Sequence, residues 1–316
     1  MARVSVIIPT YNRPQRLARA IQSVADQTYR DVEVIVVENG GARLAEQVVD
    51  GFRGRLNIRY IYNARPGAAQ ARNIGLRHAT GRYIALLDDD DEWLPEKLER
   101  QVTVLEQHPD VGLVSCAAQI IDDVGNVVSE YGHTGDELSF RQLIELGCRI
   151  PSCSSVVIRR VNLDGVGWLN TKYKIVDDYD LYLRLAATCR LFFVRKPLFR
   201  YRLHAGNTSK QESRMWQEYL QILQNVRPSP RHGVTRQHIT AAKSRIQKHH
   251  YSLATQAMKQ RDYRKARQIF WQAVCLDPFI GLKLPWGRFR NPVYRVTRPY
   301  IGSLWCGLAA WSSTHE

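Results

Sequence analysis

The sequence Gly-Arg-Tyr-Ile-Ala-Leu-Leu-Asp-Asp-Asp-Asp-Glu-Trp, residues 81–93, joins a short apolar run to four consecutive aspartates. The apolar part is typical of a strand buried in a parallel sheet, and the carboxyl ends of such strands open into a ligand-binding crevice. Carboxylates packed this closely repel one another unless a cation or a hydrogen-bond network holds them, and their oxygens suit Mg²⁺ or Mn²⁺. The run therefore predicts a cation site in a cleft. The structural alternative is an acidic N-terminus for a helix predicted at residues 95–107.

A regular alternation of strands and helices fills the first hundred residues. Apolar runs at residues 4–8, 32–37, 58–62 and 83–87 predict four strands, and segments with helical spacing lie between them. This order predicts a parallel, doubly wound α/β sheet whose strand ends line one binding edge. The first strand is followed by no G-x-G-x-x-G and the chain has no G-x-x-x-x-G-K-[S/T], which argues against a dinucleotide dehydrogenase and a P-loop enzyme.

The pattern becomes irregular after residue 116. We predict a tight turn at residues 122–126, a strand at 154–158, a helix at 178–188, and two strands at 191–194 and 198–201. A regular α/β half followed by a mixed half is what a second recognition region, added to a ligand-binding half, would produce.

Charge and tryptophan content divide the chain near residue 210. The net charge is +15, and residues 211–316 hold 17 Lys and Arg against 5 Asp and Glu, together with five of the seven tryptophans. We therefore expect one domain at residues 1–210 and a basic, mainly helical region at residues 211–316. Six cysteines without a CxxC pair favour a reducing compartment over a disulfide framework. We expect no signal peptide, and no stretch approaches the roughly 18 uninterrupted apolar residues of a membrane span.

Five motifs occur in order across residues 3–210. They are Val-Ser-Val-Ile-Ile-Pro-Thr-Tyr-Asn at 4–12, Val-Val-Glu-Asn-Gly at 36–40, Gly-Ala-Ala-Gln-Ala-Arg-Asn-Ile-Gly at 67–75, Asp-X-Asp at 88–90 with Glu-Trp at 92–93, and Asp-Asp-Tyr-Asp-Leu-Tyr-Leu-Arg-Leu at 177–185. Together they resemble glycosyltransferase family 2. The resemblance implies a Rossmann-like GT-A fold, a nucleotide-diphosphate sugar donor, a divalent metal (Mn²⁺ or Mg²⁺), and inversion at the anomeric carbon.

The resemblance also implies roles for twelve residues. Those implied to bind the nucleotide sugar are Pro9, Thr10, Tyr11, Glu38, Asn39, Gly67, Arg72, Asp88 and Asp89. Asp90 is implied as the metal ligand that bridges to the diphosphate, His204 as a histidine that approaches the metal, and Asp178 as the catalytic base.

Two of these positions depart from the family pattern. Glu38 stands where the family usually has an aspartate that bonds the base, and Asn39 replaces a second acid. Tyr11 is expected against the uracil face, so a uridine nucleotide is the expected donor. Simpler roles stay open: Asp178 as a helix N-cap, His204 as an ordinary loop histidine and Tyr11 as a packing residue.

The basic region suggests an interaction surface. Residues 251–278 resemble one tetratricopeptide-type helix pair, and residues 283–316 interleave basic and aromatic side chains. Such interleaving suits the surface of an anionic bilayer, so we expect a cytoplasmic protein held peripherally at the inner face of the cell membrane. A solvated basic surface is the alternative. No recognition module points to a specific nucleic-acid partner.

These observations favour an inverting, metal-dependent transferase. It would move a sugar from a nucleotide-diphosphate donor to a hydroxyl of a glycan or lipid-linked acceptor during synthesis of a cell-surface polysaccharide. The competing hypothesis is a non-catalytic nucleotide- or glycan-binding module that has kept the fold. An Asp-X-Asp phosphatase is a further enzyme class, but its chemistry requires a lysine near the phosphate that the sequence does not place.

Overall fold

The computed structural model describes residues 3–208 and 211–264, together with residues 266, 267 and 269. Its centre is a sheet that begins with strands β1 (Val4–Thr10), β2 (Val32–Asn39), β3 (Asn57–Asn63) and β4 (Tyr83–Leu86). These four strands are parallel and lie in the order β3-β2-β1-β4. Every residue of β1, β2 and β4 is buried, as expected for strands covered on both faces. The predicted parallel half is confirmed.

Three helices connect these strands: α1 (Pro14–Ala25), α2 (Ala45–Asp50) and α3 (Ala68–His78). Proline begins α1, where its missing N–H has no helical partner to lose. A β-carbon on Gly75 of α3 would lie 2.5 Å from Cγ2 of Ile7, so this helix packs directly on β1 only because the residue is glycine. This close packing places the start of α3 beside the carboxyl ends of the strands.

The second half extends the sheet with antiparallel and parallel strands. It contains β5 (Glu92–Trp93), α4 (Lys97–Gln107), β6 (Val111–Ile121), β7 (Val127–Tyr131), β8 (Val157–Arg159) and β9 (Arg190–Arg202). The full order is β3-β2-β1-β4-β8-β6-β9-β5, and β7 pairs with β6. β8 is antiparallel to both of its neighbours, whereas β6 and β9 run parallel. The result is one mixed sheet in which the pairing of β4 with β8 joins the two halves.

Two predicted elements of this half were wrong in detail. The strand expected at residues 154–158 begins as a 3₁₀ turn at Cys153–Ser155, because the Ser152 hydroxyl accepts a hydrogen bond from the Ser154 amide and holds the chain in a turn. The two strands expected at residues 191–194 and 198–201 are one strand, β9. Its pairing with β6 shifts next to Pro197, a residue that cannot donate to the ladder.

The remaining described helices are α5 (Phe140–Leu146), α6 (Arg160–Val166), α7 (Asp177–Ala186), α8 (Glu212–Asn225) and α9 (Arg236–Lys259). The chain forms two compact units: residues 3–208 with 227–238, and residues 211–226 with the described residues from 239 onward. The domain boundary expected at residue 210 stays a prediction. The tetratricopeptide-like segment lies partly, and residues 283–316 entirely, outside the described residues. No described helix is both long and apolar enough to cross a membrane.

Candidate active site

The four aspartates form a turn directly after β4. The amide of Asp91 donates to the carbonyl oxygen of Asp88 at 3.1 Å, which closes the turn, and the amide of Asp88 donates to the Ser154 hydroxyl at 3.0 Å. Helix α4 begins only at Lys97, and its N-cap, Glu96, makes no side-chain cap hydrogen bond. The aspartates therefore do not cap this helix, and the structural alternative for the run is wrong.

Arg72 of α3 holds the first carboxylate of the run. Its Nη2 lies 2.6 Å from Oδ1 of Asp88 and its Nη1 lies 3.1 Å from Oδ2 of Asp177, at the start of α7. The arginine is only 6% exposed, so both ion pairs are shielded from water. Arg72 thereby joins the strand end that carries the aspartate run to the helix that carries Asp178.

Asp89 is held by the loop after β1. Its Oδ2 accepts a hydrogen bond from the Thr10 hydroxyl at 2.7 Å, and its Oδ1 lies 3.1 Å from Nη1 of Arg13. Burial, reinforced by the charge of Asp90, raises the pKa of Asp89 to about 6, while Thr10 and Arg13 act in the opposite direction. Asp89 is thus a buried carboxylate that depends on its donors to stay ionised at neutral pH.

Asp90 is shared between a cation and a histidine. Its Oδ2 lies 2.8 Å from Nη1 of Arg13 and 2.8 Å from Nε2 of His204. Nδ1 of His204 accepts the amide hydrogen of Gly206 at 3.0 Å, so Nε2 carries the proton in a neutral ring and donates it to Asp90. The structure therefore brings the two sequence-predicted metal residues together.

Asp91 points into the protein. Its Oδ1 accepts the amide hydrogen of Arg202 at 3.1 Å, and its Oδ2 lies 3.5 Å from the Ser152 hydroxyl. Burial first, and then the charges of Asp90 and Asp88, raise the pKa of Asp91 well above its usual range. Each of the four carboxylates thus has protein partners, and Arg13 and Arg72 offset part of the charge that the sequence concentrates here.

An exposed aromatic ring follows the end of β1. Pro9 is buried within β1 and pairs with Val37, whereas Tyr11, two residues later, has 53% of its surface exposed. A β-carbon on Gly40 would lie 3.6 Å from the Tyr11 ring, so the ring stands beside the end of β2. An exposed aromatic face at a strand end is available to stack on a base.

Glu38 and Asn39 end β2 and are already bonded within the protein. Glu38 is fully buried, and its carboxylate accepts hydrogen bonds from the amides of Leu44 and Ala45 and from the Tyr60 hydroxyl at 2.7 Å. Asn39 accepts a hydrogen bond from the Asn63 side chain at 3.2 Å. In this arrangement the Glu38 carboxylate hydrogen-bonds the backbone at the start of α2. A nucleotide base would hydrogen-bond to Glu38 only by displacing one of these donors.

Gly67 lies at the N-cap of α3 with φ of +151°, a left-handed conformation that favours glycine. The glycine begins the helix that carries Arg72. It therefore sets where the arginine meets Asp88, while no contact within the described residues tests its expected closure over a nucleotide.

Asp178 is the second residue of α7, and Val176 is the N-cap of this helix. The Tyr179 amide donates to its Oδ1 at 2.7 Å. Burial is the main reason that the pKa of Asp178 rises to about 7, and the neighbouring charge of Asp177 adds to it, while Arg72 acts in the opposite direction. Because Val176 holds the N-cap position, the interpretation of Asp178 as a simple N-cap is wrong. A pKa of about 7 is in the range that suits general-base catalysis at neutral pH.

Sequence reasoning missed Arg13 and Arg202. Arg13 follows directly after the first motif, and Arg202 is a buried residue at the end of β9 whose guanidinium pairs with Glu92 and donates to the carbonyl oxygen of Asp123 at 2.9 Å. The one available signal was their position, since Arg13 directly follows the first motif and Arg202 lies two residues before His204. That signal does not reveal which acid each arginine would meet.

A divalent ion fits this site in one way. Among the described residues no group of three or more His, Cys, Asp and Glu side chains is arranged to hold a metal. Asp90 offers a partly exposed carboxylate, and one or two carboxylates with substrate phosphates are the usual ligands of Mg²⁺. His204 would join them only if its proton moved from Nε2 to Nδ1, which would break the Gly206 hydrogen bond.

The comparison with known families decides the class of the chain. The model for "Glycosyl transferase family 2" matches residues 5–165. The chain belongs to this family. A glycosyltransferase of Nostoc sp. is 31% identical over 229 residues, which cover 67% of this chain and 70% of that protein. One from Rickettsia prowazekii is 28% identical over 222 residues, 68% of this chain and 69% of that protein. This protein is thus a glycosyltransferase.

Solved structures show the same GT-A type of fold. The S. aureus TarS 1–349 structure in complex with UDP-GlcNAc matches with a TM-score of 0.65 and 16% identity, and covers 86% of this chain and 79% of that chain. The mannosyltransferase PcManGT from Pyrobaculum calidifontis, in complex with GDP-Man and Mn²⁺, matches with a TM-score of 0.58 and 18% identity, covering 87% and 85%. The match with a longer TarS chain spans 43% of that chain. The Rossmann-like GT-A prediction is confirmed.

Proposed function

We propose that this glycosyltransferase moves a sugar, with inversion, from a uridine-diphosphate donor to a hydroxyl group of a glycan or lipid-linked acceptor in cell-surface polysaccharide synthesis. The observation that carries the proposal is the pairing of two acidic sites across Arg72. One is a carboxylate turn at the edge where nucleotides bind to such sheets, and the other is a base of raised pKa at the start of α7.

The donor side of the proposal rests on the ends of β1 and β4. We assign the exposed Tyr11 ring to stacking on the uracil base, and we assign Asp88 to a contact with the ribose. We assign Asp90 as a ligand of a Mn²⁺ or Mg²⁺ ion, which would neutralise the charge of the departing diphosphate. Complexes of the two solved relatives with UDP-GlcNAc and with GDP-Man and Mn²⁺ support a nucleotide-sugar donor of this kind.

The acceptor side rests on Asp178. In an inverting transfer a base removes the proton of the acceptor hydroxyl while the oxygen attacks opposite the leaving group, and such a base contributes roughly 10²–10⁴-fold to the rate. A carboxyl group with a pKa near 7 both accepts a proton readily and is substantially ionised at neutral pH. A non-catalytic binding module has no need of such a group, which disfavours the competing hypothesis.

Calorimetric binding of UDP, with and without Mn²⁺, tests the proposal on the wild type and on Asp90→Asn. We expect UDP to bind the wild type tightly only with Mn²⁺, and the variant to lose this metal dependence. GDP and dTDP measured beside UDP test the choice of base. If none of the three nucleotides binds, the non-catalytic hypothesis takes its place.

We also propose that the basic region holds the protein at the cytoplasmic face of a membrane, where lipid-linked acceptors occur. The support is the charge of residues 211–316, which carry 17 Lys and Arg against 5 Asp and Glu. Sedimentation with anionic vesicles at low salt, compared with neutral vesicles, tests this. Equal recovery of the protein with both vesicle types would contradict it.

A further inference from the structure

Arg13 covers the Asp90 carboxylate, which is the candidate ligand for a divalent ion. It is the N-cap residue of α1, and its Nη1 spans Oδ1 of Asp89 and Oδ2 of Asp90. Its side chain is 33% exposed, whereas those of Asp90 and His204 are 14% and 3% exposed. The Arg13 side chain is therefore more exposed than the groups it contacts, and its positive charge offsets part of the charge of Asp89 and Asp90.

The contacts leave a divalent ion no free approach to Oδ2 of Asp90. Arg13 Nη1 and His204 Nε2 both donate to this oxygen at 2.8 Å. An ion on Oδ2 would lie within a few ångströms of the guanidinium, and like charges at such distances repel strongly where water is scarce. The two cations therefore compete for the same carboxylate.

We infer that Arg13 is a resident counter-ion of Asp90, which must leave the Asp90 carboxylate before a divalent metal binds there. The inference rests on the proposed function, because the diphosphate of the donor supplies what the exchange requires. Its negative oxygens offer Arg13 a new partner and supply the remaining ligands of the metal. Metal and nucleotide then bind cooperatively, and the chain without nucleotide holds the metal weakly.

The other contacts of Arg13 and of Asp89 are compatible with such an exchange. Nη2 of Arg13 also lies 3.5 Å from the carbonyl oxygen of Gly206, in the loop that carries His204. Asp89 keeps its second donor, Thr10 at 2.7 Å, when the arginine leaves. Movement of the arginine side chain therefore removes one of the two donors, and the positive charge, from Oδ2 of Asp90, while the turn of aspartates stays in place.

The test is the binding of Mn²⁺ alone, followed by electron paramagnetic resonance of the free ion, on the full chain. We expect Arg13→Gln to bind Mn²⁺ at least about tenfold more tightly than the wild type without nucleotide, and the double variant with Asp90→Asn to lose this gain. Addition of UDP should tighten Mn²⁺ binding strongly in the wild type and by a factor at least about tenfold smaller in Arg13→Gln.

Arg16→Gln is the matched control. Arg16 lies on the same helix, and its partner is the exposed Asp123, so the variant removes one positive charge without touching Asp90. Its Mn²⁺ affinity should stay within about twofold of the wild type. Arg13→Lys, which keeps the charge, should also bind Mn²⁺ weakly.

Two results would overturn the inference. One is Mn²⁺ binding to Arg13→Gln that is as weak as in the wild type. The other is an equal increase in Mn²⁺ affinity in Arg13→Gln and Arg16→Gln. The first would show no competition at Asp90, and the second would show only a general effect of net charge. Failure of the proposed function looks different, because it appears as a wild type that binds no nucleotide. The Mn²⁺ comparison needs no nucleotide and is read independently.

Discussion

The two acidic sites at the edge of the sheet are balanced in opposite ways. In the turn after β4, Asp88 pairs with Arg72, and Asp89 and Asp90 share Arg13. At the start of α7, Arg72 pairs with Asp177, and Asp178 next to it accepts a hydrogen bond from a backbone amide. In the first site arginines pair with three of the four carboxylates, whereas in the second site Arg72 pairs with Asp177, and the pKa of the neighbouring Asp178 is raised to about 7.

The difference separates two chemical tasks. Acids that must receive a cation, or exchange one cation for another, are kept ionised and held in place by arginines and hydroxyl groups. An acid that must take a proton is buried where its charged form is disfavoured, so its proton affinity increases. Arg72 contacts both sites, so its charge limits how far the pKa of Asp178 rises.

The largest effect is expected for Asp178→Asn. The amide cannot accept the proton of the acceptor hydroxyl, so sugar transfer should fall about 10²–10⁴-fold while UDP binding stays unchanged. Steady-state turnover of the donor and calorimetry of UDP measure the two quantities. Asp180→Asn, two residues later on the same helix and paired with Arg184, is the matched control and should keep activity within about threefold. Equal losses in both variants would assign Asp178 a structural role.

A smaller and continuous effect is expected from pH. Because the base must be ionised and the pKa of Asp178 is about 7, kcat/KM should fall about tenfold for each pH unit below 7 and level off above it. The kcat/KM of the wild type, measured between pH 5 and 9, checks this. A profile that stays flat down to pH 5 would contradict the raised pKa.

Stability gives an independent measure of the same group. The folded chain holds a proton on Asp178 between about pH 4 and 7 that the unfolded chain releases, so this group's contribution to stability falls as pH rises through that window. Asp178→Asn has no such group. Urea unfolding should therefore show the variant gaining stability relative to the wild type as pH rises from 4 to 7.

The sequence predicted the parallel strands and the acidic edge because these depend on local patterns. Apolar runs that end at polar residues give β1 to β4, and the aspartates follow β4 directly. It did not predict which acid meets which cation. Arg13 lies 76 residues from Asp89, and the Arg202 amide lies 111 residues from Asp91, so only the folded sheet brings each pair together.

One of the two errors in the second half has a local cause instead. A serine-rich run resembles a strand, but the Ser152 hydroxyl bonds the Ser154 amide and turns the chain. That turn then presents the Ser154 hydroxyl to the amide of Asp88. A local side-chain hydrogen bond thus replaced the predicted start of a strand and, in doing so, helped to fix the first aspartate of the site.

The smallest effect is expected for Asp91→Asn, which tests whether all four acids of the turn act alike. Burial raises the pKa of Asp91 well above its usual range because it disfavours the charged form, and a neutral amide avoids that cost. The asparagine oxygen can still accept the Arg202 amide hydrogen. The free energy of unfolding should therefore change by less than about 1 kcal/mol, since both partners of the hydrogen bond remain.

Asp90→Asn is the matched variant, one residue earlier and with the same change of atoms. Urea unfolding and UDP binding with Mn²⁺, measured on both variants, should separate an acid that faces the metal from an acid that supports the fold. If Asp91→Asn lost about 3 kcal/mol or more, the loss would match the removal of one partner of a buried ion pair. Asp91 would then be a charged group of the turn, and its charge would add to that of the three aspartates that Arg13 and Arg72 partly balance.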